Sequence, residues 1–143
     1  MQVIEVMIKD VKTVRATDNV KDASQIMKEN DIGSLIVVSG SGEAIGIITE
    51  RDIVIDVVAE GKNAEETKIE EIMSKNLITI SPEKSLEEAA DIMTEHNIKR
   101  LPVIYQGKLV GIVTASDLIT YEKRLIEKLS KLFALSPVKK IGG

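Results

Sequence analysis

Apolar residues in this chain recur in short blocks whose period changes along its length. Val20, Ala23 and Met27 are spaced as one face of a helix, and so are Leu86, Ala89 and Met93. Asn19 with Asp22, and Ser85 with Glu88, stand as N-cap and third helical residue ahead of these runs, the pattern that satisfies free amides of a first turn. Helices are therefore predicted over residues 20–30 and 86–97. Before each lies a short segment rich in Val, Ile and Thr, residues 12–15 and 78–80, read as a strand. After each come two apolar runs too short for helices, 34–38 with 45–48 and 101–104 with 109–113. Gly-containing turns at 40–42 and at Gly107 separate the members of each pair and predict two hairpins. A second helix is expected after Thr49 and after Thr114, so each half reads β-α-β-β-α.

The halves are copies. Sliding the chain by 66 residues aligns Met7, Lys9, Thr13, Ala23, Ile26, Met27, Glu29, Ile32, Leu35 and Val37 with identical residues from Met73 to Val103. A one-residue deletion in the second turn then brings Gly42, Gly46, Ile47, Thr49 and Asp52 onto Gly107, Gly111, Ile112, Thr114 and Asp117. One unit has a small sheet whose apolar face its own residues cannot fully cover, so the two are expected to pack with pseudo-twofold symmetry around a shared core. The fold class is α+β. Residues 1–60 form the first repeat, 61–69 a linker, 70–124 the second repeat, and 125–143 a C-terminal amphipathic helix and tail, with 137–143 expected to be mobile.

Composition narrows the chemistry. The 143 residues include no Cys and one His, which excludes thiolate metal sites, disulfides, Cys nucleophiles and ordinary structural zinc. Aromatic residues make up 2%, and 19 Lys and Arg stand against 23 Asp and Glu, so neither a base-stacking platform nor a basic footprint is present. Nucleic acid is not an expected partner. Glu5, Lys9 and Asp10 interrupt any signal-peptide core, and no apolar run approaches the length of a membrane span. The expectation is a soluble cytoplasmic protein.

The most specific motif is Gly46-Ile47-Ile48-Thr49-Glu50-Arg51-Asp52, echoed as Gly111-Ile112-Val113-Thr114-Ala115-Ser116-Asp117. Thr-x-x-Asp at a helix start approximates a capping box, and a copied unit copies its caps. The same residues also suit a nucleotide: a hydroxyl at a helix N-terminus can donate to a phosphate oxygen, and an Asp can accept from both hydroxyls of a ribose.

These motifs, with Ile98-Lys99-Arg100-Leu101-Pro102-Val103 and its weaker counterpart Ile32-Gly33-Ser34-Leu35-Ile36-Val37, resemble those of a tandem pair of CBS (cystathionine β-synthase) domains, a Bateman module. The resemblance covers Met7 to Tyr121. It implies two clefts that bind adenine nucleotides (AMP, ADP or ATP) or S-adenosylmethionine, each joining the Thr-x-x-Asp of one repeat to the leading segments of the other. One cleft would join Thr49, Arg51 and Asp52 to Asn76, Leu77, Ile78, Ile98, Lys99 and Arg100. Asp52 would hold the ribose, Leu77, Ile78 and Ile98 would enclose the base, and Lys99 and Arg100 would meet phosphates, where charge-assisted bonds from Arg are apt. The other would join Thr114, Ser116 and Asp117 to Asp10, Val11, Lys12, Ile32, Gly33 and Ser34, with Lys12 as its cation. A polyphosphate is accordingly expected to prefer the Asp52 cleft.

No catalytic residue and no metal ligand set is assigned, because the repeated Thr and Asp lack a nucleophile or a tuned acid and base as partners. His96 is expected to face the negative end of its helix, and the five Met are read as core filling. Residues 121–135 place Leu125, Ile126, Leu129, Leu132 and Phe133 on one helix face, which suits docking on the module itself or on a second copy. The expected function is a non-enzymatic regulatory module that senses an adenosine-containing metabolite, forms a homodimer and signals to a partner protein. Alternatives are an interaction module with vestigial sites, an enzyme of another type, or a nucleic-acid adaptor.

Overall fold

The structure, a computed structural model, describes residues 1–135; the tail at 137–143 lies outside the described residues. Each predicted N-cap holds: Asn19 Oδ1 accepts the Asp22 amide at 2.8 Å and Ser85 Oγ the Glu88 amide at 3.0 Å, opening α1 (Val20–Asn30) and α3 (Leu86–His96). Both helices end on a left-handed residue, Asp31 at φ 52° and Asn97 at φ 53°, types that tolerate this region. His96 is the last residue of α3.

In the first repeat β1 (Thr13–Arg15) pairs in parallel with β2 (Ser34–Val38), which pairs antiparallel with β3 (Ala44–Thr49). The second repeat has the same hairpin, β4 (Arg100–Tyr105) with β5 (Lys108–Thr114), and the two hairpins carry their register shifts at equivalent places, between Val37 and Val38 and between Val103 and Ile104. The strand expected at 78–80 is reduced to one parallel bridge, Ile80 to Val103. Pro82 ends the extended stretch at once: its carbonyl accepts the Ile4 amide, so the chain turns toward the N-terminal segment instead of lengthening the sheet.

The second helices differ. After β3 comes α2 (Glu50–Ile53), which passes straight into a π-helical turn over Val54–Val58. After β5 comes α4 (Ala115–Leu135), one uninterrupted helix running through the second repeat into the expected C-terminal helix. Among the described residues no helix is long and apolar enough to cross a membrane.

The expected shared core is instead two separate buried clusters, each completed by a segment that precedes the other repeat in the chain. A 3-10 turn at Val3–Glu5 inserts fully buried Val3 among Ile80, Ala89, Met93, Leu101, Val103 and Val113 of the second repeat. The equivalent turn at Ile69–Glu71 inserts fully buried Ile69 among Val14, Val20, Leu35, Val37 and Ile48 of the first. Matching hydrogen bonds fix both turns: Val3 and Ile4 donate to the carbonyls of Lys84 and Pro82 at 2.8 and 2.9 Å, Ile69 and Glu70 to those of Asp18 and Ala16 at 2.9 and 3.0 Å. Apolar burial drives this exchange, since each insert covers the sheet and helix face that one unit alone leaves wet.

The exchange explains two of the repeated identities. Ile8 forms a reciprocal backbone pair with Ile112 at 2.8 and 2.9 Å, and Ser74 does the same with Ile47 at 2.9 and 3.0 Å. The crossing segments run directly over Gly111 and Gly46. A Cβ at Gly111 would lie 2.6 Å from Met7 Sδ and 3.0 Å from the Ile8 carbonyl oxygen; one at Gly46 would lie 2.7 Å from the Ser74 carbonyl oxygen and 3.0 Å from Met73 Sδ. Glycine is required there by close approach rather than by backbone angle.

Candidate functional site

Because residues 8–12 and 74–78 cross to the opposite repeat, they stand beside its hairpin and leave a cavity on each side of the pseudo-twofold axis. The first cavity, about 290 Å³, is lined by Ser34, Ile47, Thr49, Asn76, Leu77, Ile78, Asn97, Ile98, Lys99, Arg100 and Pro102. The second, about 280 Å³, is lined by Arg100, Ile112, Thr114, Asp10, Val11, Lys12, Asp31, Ile32, Gly33, Ser34 and Ile36, which are the equivalents of those residues taken in the same order, together with Ile8. Both cavities are walled by both repeats.

Of the residues expected in the first cleft, Thr49, Asn76, Leu77, Ile78, Ile98, Lys99 and Arg100 come together. Arg51 and Asp52 do not reach its wall. In the second, Asp10, Val11, Lys12, Ile32, Gly33, Ser34 and Thr114 come together, while Ser116 and Asp117 lie outside. Asp117 borders a different hollow, with Met1, Glu5, Val6, Thr120, Tyr121 and Arg124. The reason is capping. Asp52 Oδ2 accepts the Thr49 amide at 2.9 Å while Thr49 Oγ1 accepts the Asp52 amide at 3.2 Å, and Asp117 and Thr114 repeat the pair at 3.2 and 3.1 Å. Each carboxylate thus closes a capping box, and its Oδ1 has no hydrogen-bond partner among the described residues.

Several wall residues were not assigned to a cleft from the sequence, although four of them, Ile47, Ile112, Pro102 and Ile36, lie inside the quoted motifs. Ile47 and Ile112 arrive with the bridges to Ser74 and Ile8, and Pro102 and Ile36 lie two positions into β4 and β2. Asn97 and Asp31 are the left-handed helix caps, and a polar residue after each predicted helix was the available signal. Ser34 and Arg100, equivalent to each other, border both cavities.

The electrostatics of the walls differ. Lys99 and Arg100 face the first cavity with no acidic side chain among its lining residues. In the second, Lys12 is tied to Asp10, Nζ to Oδ2, at 3.1 Å, and Asp31 adds a further carboxylate. The expectation that Lys12 is the only cation there is corrected by Arg100, which reaches this wall from the axis. Arg100 makes no side-chain hydrogen bond or ion pair among the described residues, so its guanidinium donors are free toward either cavity. A concave, mostly apolar patch with a few converging polar groups is the usual form of a small-molecule site.

Comparison with known proteins agrees with this architecture. Residues 3–58 and 69–124 each match the CBS domain family. Protein MK0525 of Methanopyrus kandleri is 40% identical over 128 residues, 89% of this chain, which spans 65% of that relative's length. CBS domain-containing protein YhcV of Bacillus subtilis is 37% identical over 114 residues, 80% of each chain. Among solved structures, the CBS domain pair of protein MJ0100, in complex with 5′-methylthioadenosine and S-adenosyl-L-methionine, superposes with a TM-score of 0.74 at 30% identity, covering 90% of this chain and 97% of that one. The chain belongs to the CBS domain family, of which it carries two copies in tandem.

Proposed function

We propose that this chain is a regulatory module that binds an adenosine-containing metabolite, an adenine nucleotide or S-adenosylmethionine, in one or both cavities and signals occupancy to a partner protein. The observation that carries this reading is that residues of both repeats wall each cavity at equivalent positions. A ligand there touches both repeats at once and favours one relative arrangement of them, and a partner that prefers that arrangement is coupled to the ligand. The adenosyl class is supported by the MJ0100 pair, whose complex holds two adenosyl compounds. Lys99 and Arg100 serve phosphates in the first cavity, and Ile98 with Leu77 and Ile78 supplies the apolar surface for the base. The module acts by binding rather than by turnover.

A thermal-shift panel with AMP, ADP, ATP, S-adenosylmethionine and NADH tests it, because a ligand that binds only the folded state raises apparent stability with the logarithm of its saturation. A saturable shift with at least one adenosyl compound is expected. No shift with any of them favours an interaction module with vestigial sites, a reading to which the capping role of Asp52 and Asp117 would then belong.

We also propose an isologous homodimer. Val54, Ile55, Val58 and Ile119 are exposed on the second helices, and α4 carries exposed Leu125, Ile126, Leu129, Leu132 and Phe133. A helix bearing such a stripe is stabilised chiefly by covering it, and a second copy presents the same stripe. Light scattering at tens of micromolar that returned only a 15.7 kDa species would overturn this.

A further inference from the structure

The two cavities match in backbone and, apart from the shared Ser34 and Arg100, differ in charge at four equivalent wall positions, one of them Ile78 in the first and Lys12 in the second. Where the first has Asn76 the second has Asp10, and where the first has Asn97 the second has Asp31. The backbone angle of that pair is unchanged, φ 53° against φ 52°, so the charge differs without a change of local shape. Where the first has Lys99 the second has Gly33, and the Glu50 carboxylate occupies the space in which a side chain at position 33 would begin. The residue equivalent to Glu50 in the second repeat is Ala115, which offers no such group.

Two carboxylates, Asp10 and Asp31, line the second cavity, and Glu50 stands behind Gly33 in the adjoining groove. Asp10 is spent on Lys12 at 3.1 Å. Asp31 makes no side-chain hydrogen bond or ion pair among the described residues; it borders both this cavity and the adjoining groove, whose other charged residues are Lys28 and Glu50. The remaining cation is Arg100, which the first cavity shares. A phosphate held by Arg100 and Lys99 in the first cavity leaves Asp31 as the unpaired charge on the second cavity's wall. A second polyphosphate would then meet like charge, whereas an ammonium, a sulfonium or a neutral thioether would not.

We propose that the two cavities sort adenosyl ligands by charge: the first takes a phosphorylated one, and the second takes one whose 5′ substituent is neutral or cationic, with Asp31 on its wall as the discriminating residue and Glu50 behind Gly33 adding to it. This rests on the adenosyl reading above and adds which ligand goes where.

Calorimetry with ATP, S-adenosylmethionine and 5′-methylthioadenosine tests it on the whole chain and on three variants: Asp31→Asn, Asp31→Asn with Glu50→Ala, and Gly33→Lys with Glu50→Ala. Each variant gives the second cavity residues that the fold already carries at the equivalent positions of the first. In the unaltered chain ATP should fill one cavity per chain, and S-adenosylmethionine or 5′-methylthioadenosine should still bind at saturating ATP. In the paired variants a second ATP event should appear, or an existing weak one should tighten by about tenfold, and S-adenosylmethionine should weaken relative to ATP. Two equal ATP events in the unaltered chain, or an ATP to S-adenosylmethionine preference that no variant moves, would overturn the sorting while leaving the adenosyl reading intact. Absence of binding by all three compounds would overturn both. Asp31→Asn, an isosteric change at an exposed helix cap, decides the matter should a paired variant lose its circular dichroism signal.

Discussion

The two repeats are more alike in their cores and at the crossings than around the cavities. Ala23 and Ala89, Met27 and Met93, Leu35 and Leu101, and Val37 and Val103 are identical pairs buried at equivalent depth. Met7 with Gly111 and Met73 with Gly46 are identical pairs at the crossings. Around the cavities identity survives at Ile32 and Ile98, Ile47 and Ile112, and Thr49 and Thr114, and the other equivalent wall positions differ. Packing tolerates little change of volume once neighbours are fixed, whereas a wall open to solvent constrains only the backbone behind it. The comparison teaches that duplication supplied one scaffold twice and left the chemistry of each cavity free to change.

The sharpest way to break the likeness of the cores is to cut the same buried side chain in each. Leu35→Ala and Leu101→Ala should each cost about 2–5 kcal/mol in chemical denaturation. Because each core contains a segment from the other side of the chain, both variants should still unfold in one transition. A separate early transition in either one would show that the repeats fold independently and that the exchanged turns couple them weakly.

The crossings should be nearly equivalent but not quite. Gly46→Ala and Gly111→Ala should each lose about 1–3 kcal/mol to overpacking. Gly46→Ala should be the worse, because the atom its Cβ meets first is the Ser74 carbonyl oxygen, fixed by the pair with Ile47, whereas at Gly111 it is the end of the flexible Met7 side chain. Equal losses would mean that the crossing segments shift as units.

Substitutions on the walls should separate the cavities. Lys99→Ala with Arg100→Ala should weaken ATP binding by about 1–2 kcal/mol and flatten its dependence on salt, with little effect on stability. Unchanged ATP affinity would reduce both residues to solvated surface. The smallest effects belong to the caps: Asp52→Ala and Asp117→Ala should each cost about 1 kcal/mol or less of stability, since Thr49 and Thr114 remain to accept an amide. Ligand affinity that falls further than stability does, in calorimetry on the folded variants, would mark the free Oδ1 as a ligand contact; parallel losses would leave both carboxylates as caps alone.

What the sequence by itself determined is local or repeated. The N-caps at Asn19 and Ser85, the spacing of Ala23 and Met27, the turn glycines and the 66-residue offset are readable because capping and periodicity act within a few residues and duplication writes its own register. Most of the cavity-lining residues followed once the family resemblance said that segments of one repeat face the other. Only the tertiary structure decided that residues 1–8 complete the second core and 67–74 the first, that Arg100 and Ser34 stand on the axis between two cavities, and that the Glu50 carboxylate takes the place of a side chain at Gly33. These are meetings of segments far apart in the chain, and no period or cap in the sequence records which distant surface a residue will meet.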